Sequence, residues 1–492
     1  MTAKEKKSVI KDGLYVLSGH YFAQACNVIR GFYSANTLGP AGYGLWSIIQ
    51  FYLEFAKFLP LGIDEFSARQ LTQNIGKNKY DENLHIIRCY FLFTVIGAMV
   101  LLVFGCACLF FWGDKNNPIQ YYGIMFVSAS LIATLFDRFT YALLTSYGYF
   151  QKTALVRQLQ AIISLSVVIL LIGKYKILAM YWAYFLMLTL SLMIISLLSI
   201  KPILRKLRES FLAPRIKNYF RHLIKAAFFL FMLNIVNSCL TNLDRFFVTR
   251  HYNAYENGIY FFAGNISMSL NLIVFSFTIV LYQRMNLFFG ETHKADETFK
   301  YALAACKKVA LFFPYVITIS FYIIPILFKL FFKPYEPSIF FLRGLSISGY
   351  FYSLFLLLTY QLIATRQQRQ LLFLSLIFIA FGIFIYEFAS RSLPLNKIPY
   401  FVITLNGLFM LITLLLARHL ANVTYPMTNI FKDVFFLPLV MAAIIAFFEL
   451  GIYPGNTLKG LTLKSLGVPL SYLLLSLWIR NKWIKPAMSN SL

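Results

Sequence analysis

The chain has 492 residues, of which 59% are hydrophobic and only 13% are charged, and its mean hydropathy is +0.68. Soluble domains contain about 25% charged residues, so this composition excludes a water-soluble globular protein, which needs more polar side chains for its surface. The net charge of +26 would also suit a nucleic-acid-binding protein, but the positions of the basic residues are explained by membrane topology, and no nucleic-acid partner is expected.

The apolar residues form long uninterrupted runs, such as 91–112, 161–173 and 371–386. The hydrocarbon core of a bilayer is about 30 Å thick and is crossed by about 20 helical residues. Strands of a membrane barrel alternate polar and apolar residues, and these runs do not. The sequence therefore predicts an all-α, polytopic membrane protein with about fourteen transmembrane helices. Their approximate ranges are 13–37, 43–70, 88–112, 119–145, 149–173, 178–200, 223–249, 257–285, 303–331, 337–364, 370–388, 399–423, 433–453 and 461–480.

The distribution of lysine and arginine predicts the orientation of these helices. Residues 1–7 are basic, and no small-residue cleavage site follows the first apolar run, so we interpret this end as cytoplasmic and not as a signal peptide. Basic residues concentrate in the loops that lie on the same side, as the positive-inside rule requires, which places both termini in the cytoplasm. Near the outside, Arg343 is expected to pair with Glu336 or reach the interface, and Lys464, close to the start of the last predicted helix, is counted with the last outside loop.

A basic segment and a weak internal repeat indicate two lobes. Residues 201–225 follow the sixth helix and are interpreted as a cytoplasmic linker, or as an amphipathic helix on anionic lipid. The turns 38–46 and 252–260 both place a glycine before an apolar and an aromatic residue. Six helices separate the two turns, so both lobes start on the same side of the membrane. The lobes are therefore expected to be related by a pseudo-two-fold axis along the membrane normal. The predicted domains are an N-terminal lobe 1–200, a linker 201–222, a C-terminal lobe 223–423, and two extra helices with a cytoplasmic tail, 424–492.

Polar side chains recur on one face of the first predicted helix. Gln24 and Asn27 follow helical spacing, and Arg30 lies at the edge of the same stripe. Ionisable residues within a span are costly, so they usually face a cavity or a partner. We expect this face of the helix to point away from lipid.

The second predicted helix repeats the pattern. Glu54, Lys57 and Asp64 share a face, and the first two are three residues apart, close enough to interact. Pro60, followed by Gly62, predicts a kink in this helix.

The fourth and seventh predicted helices also carry polar faces. The fourth contains Asp137 and Arg138, and the seventh contains Asn234, Asp244 and Arg245. One interpretation is local pairing of each aspartate with the neighbouring arginine, or hydrogen bonding that ties helices together. The other is a shared aqueous cavity, in which the acidic residues Glu54, Asp64, Asp137 and Asp244 form charge pairs or couple transport to an ion.

In this second interpretation the cavity has a surplus of positive charge. Its basic residues are Arg30, Lys57, Arg138 and Arg245, and Gln24, Asn27 and Asn234 add uncharged polar groups. Such a cavity would suit an anionic substrate.

No motif for catalysis, nucleotide binding or metal binding is found. The phosphate-binding loop of ATPases is missing, the histidines are scattered, and the six cysteines lack zinc-ligand spacing and are interpreted as free thiols. We therefore expect no cofactor, no metal and no catalytic residues. If the protein moves a substrate, the energy comes from a Na+ or H+ gradient, from substrate flux or from a partner.

Three segments resemble bacterial polysaccharide (O-antigen type) flippases. Residues 38–46, Leu-Gly-Pro-Ala-Gly-Tyr-Gly-Leu-Trp, resemble the turn after the first helix of these proteins. Residues 61–69 resemble the segment with Gly and Arg that closes their second helix, and residues 145–150 resemble their turn into helix five. These flippases belong to the multidrug/oligosaccharidyl-lipid/polysaccharide exporter superfamily. The length, the two lobes and the basic middle loop extend the similarity over nearly the whole chain.

The resemblance implies alternating access in the bacterial inner membrane. Two lobes would rock about a cavity that holds the sugar and pyrophosphate, while the polyprenyl tail stays in lipid. Arg30 and Lys57 match the basic cavity positions of such flippases, although lysine binds phosphate as a point charge without the fork of arginine. The last two helices resemble the extra pair of peptidoglycan-precursor flippases, which helps to form a groove for the lipid tail. Polysaccharide polymerase or assembly proteins are the implied partners.

We therefore predict a flippase, and not an enzyme, that moves polyprenyl-pyrophosphate-linked oligosaccharide to the outer leaflet for cell-surface polysaccharide, including lipopolysaccharide, biosynthesis. One alternative is a multidrug or cation-coupled exporter of the same superfamily. Such an exporter needs an acidic cavity, whereas basic residues here match or outnumber acids. The other alternative is a membrane glycosyltransferase or polysaccharide polymerase, which usually carries a large outside loop with catalytic residues; the outside loops here are short.

Overall fold

The structure is a computed structural model of the whole chain. It describes residues 3–76, 80–113, 118–190, 208, 219–392, 394–423, 426–449 and 458–479. Within these ranges every regular element is a helix, so the predicted all-α class is confirmed. We number the α-helices in chain order as α1 Ala3–Glu54, α2 Ile63–Gly76, α3 Tyr80–Trp112, α4 Pro118–Ser146, α5 Phe150–Tyr175, α6 Ile177–Leu190, α7 Tyr219–Thr241, α8 Leu243–His251, α9 Ala254–Thr292, α10 Ala295–Thr318, α11 Ile324–Phe331, α12 Ser338–Ala364, α13 Gln368–Ser392, α14 Ile398–Leu420, α15 Met427–Phe447 and α16 Leu458–Ile479.

The first predicted span and the first part of the second lie in α1, on either side of a kink at Gly39. This residue has φ 67° and ψ 173°, and Pro40 follows it inside the helix. Positive φ is a conformation that glycine adopts at little cost, and proline cannot donate the hydrogen bond that would continue a regular helix. The predicted turn at 38–46 therefore coincides with the kink.

The second predicted span breaks at the proline and glycine that predicted its kink. A 3₁₀ turn, Phe55–Phe58, follows α1, and Leu61 and Gly62 have φ of 51° and 74° before α2 begins. A Cβ atom on Gly62 would lie 2.9 Å from the carbonyl oxygen of Ala227 in α7. Glycine is therefore required here both by the backbone conformation and by the close approach of α7.

Two local signals shape the second half of the chain. Asn253 and Glu256 form a capping box at the start of α9, with hydrogen bonds of 2.9 and 3.1 Å in the two directions. Between α10 and α11, residues Ile319–Ile323 form a π-helical segment with Pro325 just after it. Such segments are rare and are frequent at functional sites.

The chain divides into two compact units, Met1–Ser238 and Cys239–Leu492. The division falls inside α7, and Ala227 of this helix packs in a core cluster of the first unit with Ile63, Leu71 and Tyr90. The domain limits proposed from the sequence stay predictions, because the linker 201–222 lies almost wholly outside the described residues.

The surface of both units suits contact with lipid. Eight helices among the described residues are long and apolar enough to cross a membrane. Large apolar side chains are exposed on them, for example Val103 at 70%, Phe110 at 83% and Leu170 at 77%. Such exposure would be costly in water, so the chain is a multi-pass membrane protein.

Candidate functional site

An ion pair between α2 and α4 lies inside the N-terminal unit. Arg138 Nη1 is 3.5 Å from Asp64 Oδ2, and the Asp64 side chain is 9% exposed. Asp64 is the second residue of α2, directly after the break at Gly62, so the break determines where this carboxylate lies. Arg138 therefore pairs with a distant aspartate, and not with its neighbour Asp137.

Asp137 makes a different contact, with α5. Gln160 Nε2 donates a hydrogen bond of 2.9 Å to Asp137 Oδ1, and Arg157 Nη1 donates one of 3.2 Å to Gln160 Oε1. The Arg157 guanidinium also lies 4.8 Å from the centre of the Tyr141 ring. The local Asp137–Arg138 pairing of one interpretation is thus replaced by interactions that join α4 to α2 and to α5.

Arg30 enters the same region from α1. Its guanidinium donates a hydrogen bond to Ser164 Oγ of α5, and it interacts electrostatically with Tyr43 and Tyr184. Tyr184 of α6 interacts electrostatically with Asp137 as well. Tyr184, which the sequence analysis did not single out, therefore lies near both Arg30 and Asp137.

Tyr90 of α3 is the remaining member of this cluster. It is 1% exposed and interacts electrostatically with Asp64, Asp137 and Arg138. Its hydroxyl group has no hydrogen-bond partner within the part of the chain that the structure describes. The N-terminal polar centre, defined as Arg30, Asp64, Tyr90, Asp137, Arg138, Gln160, Ser164 and Tyr184, thus receives side chains from each of α1 to α6.

Lys57 lies in the 3₁₀ turn between α1 and α2. Its Nζ is 5.1 Å from the centre of the Phe58 ring, and it interacts electrostatically with Glu65. Asn234 Nδ2 donates a hydrogen bond of 2.6 Å to Glu65 Oε2. Glu65 therefore connects two of the predicted cavity residues, Lys57 and Asn234, although the sequence analysis did not select it.

Three further predicted residues lie on α1. Gln24 and Glu54 are half-buried, and Asn27 is exposed. The roles proposed for them stay predictions, as do the cavity and coupling roles of the other selected residues.

The C-terminal unit holds Asp244 and Arg245 on the short helix α8. Both are buried, at 9% and 5% exposure. The Tyr260 hydroxyl donates a hydrogen bond of 2.5 Å to Asp244 Oδ2, and Arg245 Nη2 donates one of 3.2 Å to Asn265 Oδ1. These contacts attach α8 to α9 and orient the guanidinium.

Both residues border a partly open cavity of about 180 Å³ inside the C-terminal unit, which we call the C-terminal cavity. Its wall comes from residues near the junction of α7 and α8 and from α9, α12, α13 and α14. Polar groups in the wall include Ser267, Asn271, Ser348 and Asn406, and Asn406 Nδ2 donates a hydrogen bond of 2.6 Å to Ser348 Oγ.

A second charged group of the C-terminal unit was wrongly placed by the sequence analysis. Lys464 lies within α16, not in an outside loop, and its fully buried side chain is 2.7 Å from Glu449 Oε2. Arg343 donates to the Phe321 carbonyl oxygen at 3.1 Å and interacts electrostatically with Glu449. Glu336, the partner expected for Arg343, lies 3.5 Å from Lys329.

The residues that the sequence analysis missed carried a weak signal or none. Gln160 and Ser164 are one helical turn apart on α5, which periodicity could have found. Tyr90 and Tyr184 are single tyrosines in aromatic-rich helices, and only the tertiary arrangement sets them apart.

The helical architecture and the exposed apolar surface define the class of all-α polytopic membrane proteins. A family model described as "Polysaccharide biosynthesis protein" matches residues 9–285. The chain belongs to this polysaccharide biosynthesis protein family. The resemblance predicted from the three short segments is therefore confirmed.

Solved structures share this fold at low sequence identity. The structure is similar to the lipid II flippase MurJ in its inward closed conformation, with a TM-score of 0.70, 13% identity, and coverage of 96% of this chain and 100% of MurJ. It is also similar to an inward-facing multidrug resistance MATE family transporter of the MOP superfamily, with a TM-score of 0.65, 12% identity, and coverage of 81% and 94%. A MOP superfamily transporter from Pyrococcus furiosus matches with a TM-score of 0.61, 11% identity, and coverage of 85% and 96%. No curated protein matches the sequence.

Proposed function

We propose that the protein is a flippase that moves a polyprenyl-pyrophosphate-linked oligosaccharide from the cytoplasmic to the outer leaflet of a bacterial inner membrane. Membership of the polysaccharide biosynthesis family supports the saccharide, and the fold shared with a lipid II flippase supports the movement across the bilayer. The product would enter cell-surface polysaccharide, including lipopolysaccharide, through a polymerase or assembly proteins. Both termini are proposed to be cytoplasmic.

The observation that carries this proposal is the environment of Arg30. This guanidinium donates its hydrogen bond to a neutral serine of α5, a helix long and apolar enough to cross a membrane. Among the described residues no carboxylate forms an ion pair with it, whereas Arg138 is paired with Asp64. A cation without a countercharge is costly in a membrane and suits an anionic group of the substrate, such as a pyrophosphate.

The energy source proposed is a Na+ or H+ gradient, with no cofactor. Asp64 and Asp137 are the proposed coupling residues of the N-terminal unit, because each is buried and contacts a neighbouring helix. Asp244 is their proposed counterpart in the C-terminal unit, and Glu54 is the fourth. A multidrug exporter is the second candidate function, since the MATE transporter shares the fold. The charges of the N-terminal polar centre disfavour it, because Arg30 and Arg138 match Asp64 and Asp137 in number, whereas a site for an organic cation needs a surplus of acidic groups.

The test is to delete the gene and measure lipid-linked saccharides on the cytoplasmic leaflet. We expect one species to accumulate, and expect the wild-type gene to reverse this. Arg30→Ala should fail to reverse it at normal protein level. The matched control is Arg369→Ala, which changes an exposed arginine at the start of α13 and should restore transport. Absence of accumulation in a strain with no second flippase would refute the proposal, and full activity of Arg30→Ala would refute the role of Arg30.

A further inference from the structure

A groove between α13 and α14 opens on the surface of the C-terminal unit, and we call it the α13–α14 groove. Both helices are long and apolar enough to cross a membrane, and the groove has a volume of about 310 Å³. Its wall includes two runs with the spacing of one helix face, Phe384, Ile385 and Phe388 of α13 and Tyr400, Phe401 and Thr404 of α14. Phe384 and Phe388 are 74% and 72% exposed, so the groove borders the bilayer and not the interior of the unit.

The wall of the groove suits hydrocarbon and not water. Among its described residues, the polar side-chain groups are the hydroxyls of Tyr400 and Thr404. The Thr404 hydroxyl already donates a hydrogen bond of 2.8 Å to the Tyr400 carbonyl oxygen. An ordered water needs two to four polar partners, so this wall does not hold one. Apolar groups that face a void lose dispersion contacts, so the groove is expected to be filled by hydrocarbon.

The volume of the groove matches a segment of one lipid chain. A cavity of about 150 Å³ holds one benzene molecule, which has six carbon atoms. The 310 Å³ of the groove is about twice as large, so it takes about twelve carbon atoms. In a bilayer the hydrocarbon available to such a groove is the acyl chain of a lipid.

A positive charge lies at one end of the groove. Lys397 directly precedes α14 and is exposed, and its Nζ atom is 6.0 Å from the centre of the Tyr400 ring in the wall. A helix rises about 1.5 Å per residue, so Lys397 lies about 10 Å from Thr404 along the helix axis. The headgroup layer of one leaflet is about 5–8 Å thick. A lipid whose phosphate contacts Lys397 therefore has its acyl chains at the depth of the groove.

The neighbouring acid does not cancel this charge. Glu387 precedes Phe388 on α13, but its Oε2 atom lies 3.5 Å from His251 Nε2 and 3.9 Å from Arg250 Nη1 of α8. Its charge is thus matched by α8. Lys397 forms no ion pair within the part of the chain that the structure describes, so its charge is available to an anionic headgroup.

We propose that the α13–α14 groove binds one acyl chain of an anionic phospholipid whose phosphate contacts Lys397. The occupant is a lipid of the surrounding bilayer and not the transported substrate. A single lysine matches the one negative charge of a phosphodiester, whereas a pyrophosphate carries more than one. The proposal depends on the position of the helices in a membrane and not on the proposed function, so a transporter of another substrate would bind the same lipid.

The test of the charge is native mass spectrometry of the purified full-length protein, titrated with phosphatidylglycerol or with phosphatidylcholine of the same acyl chains. The first phosphatidylglycerol should bind about 5-fold more tightly, which is the effect of one basic residue near an anionic headgroup. Lys397→Met should remove this preference and leave phosphatidylcholine binding unchanged. The matched control is Lys174→Met, which changes an exposed lysine at the end of α5 that lies 5.5 Å from the Tyr175 ring centre, outside the groove. This control should keep the preference.

The test of the groove itself is Thr404→Trp, which places a large ring at an exposed position of the wall. It should weaken the binding of both lipids, by about 4-fold for each CH₂ group that the ring displaces. Thr404→Phe replaces it if the tryptophan variant is not monodisperse. The matched control is Thr72→Trp, because Thr72 is also exposed and its hydroxyl donates a bond of 2.8 Å to a carbonyl oxygen four residues earlier. This control should bind both lipids as wild type does.

Four results would overturn the proposal. They are equal affinity of the wild type for the two lipids, unchanged phosphatidylglycerol binding by Lys397→Met, an equal loss in Lys174→Met, and unchanged binding by the Thr404 variants. A further titration uses a polyprenyl phosphate. If this probe binds more tightly than phosphatidylglycerol and loses affinity in the variants of Lys397 and Thr404, the groove holds the tail of the transported lipid, and the proposed occupant is wrong.

Discussion

Removing the carboxylate of Glu449 is predicted to destabilise the protein more than removing the ammonium of Lys464, although the two form one ion pair. Their charged atoms are 2.7 Å apart, but the Lys464 side chain is fully buried while that of Glu449 is 27% exposed. Glu449→Gln therefore leaves a fully buried ammonium without this carboxylate. Lys464→Met leaves a carboxylate that keeps part of its surface accessible and replaces the lysine by an apolar side chain of similar length.

The expected magnitudes follow from this difference. Leaving a buried charge unpaired costs about 3–5 kcal/mol, so we expect about 3 kcal/mol for Glu449→Gln and about 1 kcal/mol for Lys464→Met. The double variant lacks both charges of the ion pair, and only the electrostatic interaction of Arg343 with Glu449 is also lost, so it should lose about 2 kcal/mol. The two substitutions should thus couple by about 2 kcal/mol, within the range of residues in direct contact.

The assay is the apparent Tm of the purified variants in one detergent, followed by tryptophan fluorescence. Glu449→Gln should melt at the lowest temperature, and the double variant should melt above it. Lys300→Met is the control, because its partner Asp296 is 3.6 Å away and both side chains are well exposed, so its Tm should stay near that of wild type. Equal losses in the two single variants, or a double variant that loses their sum, would refute the reasoning.

Three further substitutions have expected outcomes. Gly62→Ala forces a side chain into positive φ and to within 2.9 Å of a carbonyl oxygen of α7, which should cost about 2–4 kcal/mol and lower the apparent Tm; an unchanged Tm would mean that α7 is not held there. Arg138→Gln leaves the buried Asp64 without its cation and should cost about 3 kcal/mol, which a melting curve at the same Tm as wild type would contradict. Tyr260→Phe removes the 2.5 Å hydrogen bond to Asp244 and should cost about 1–2 kcal/mol, detected as a smaller Tm loss than that of Arg138→Gln.

The architecture could be predicted from the sequence because the bilayer imposes one length and one polarity on each helix. Local backbone rules were equally informative. Pro60 and Gly62 predicted a kink where the helix breaks, and the turn predicted at 38–46 contains the positive φ of Gly39. These kinks are determined by residues that are adjacent in the sequence, so they can be predicted without knowing which helices pack together.

The partners of the charged side chains could not be predicted in the same way. Asp137 and Arg138 are adjacent in sequence, but successive residues on a helix point about 100° apart, so each contacts a different helix. Lys464 appeared to belong to a loop because a lysine is unfavourable within a span. Its burial depends on Glu449, which lies near the end of another helix.

Arg30 and Arg138 separate the two interpretations that the sequence left open for the polar faces. Arg138 and Asp64 join α4 to α2, which is the behaviour expected of groups that hold helices together. Arg30 donates a hydrogen bond to a serine hydroxyl, and its charge is not neutralised by the ion pairs that the structure describes. Because a carboxylate beside Arg30 would stabilise the resting protein, the use of a neutral partner is explained best if the charge is needed for a ligand that binds and dissociates. The N-terminal polar centre can therefore hold helices together through Arg138 and Asp64 and bind an anionic group of the substrate through Arg30.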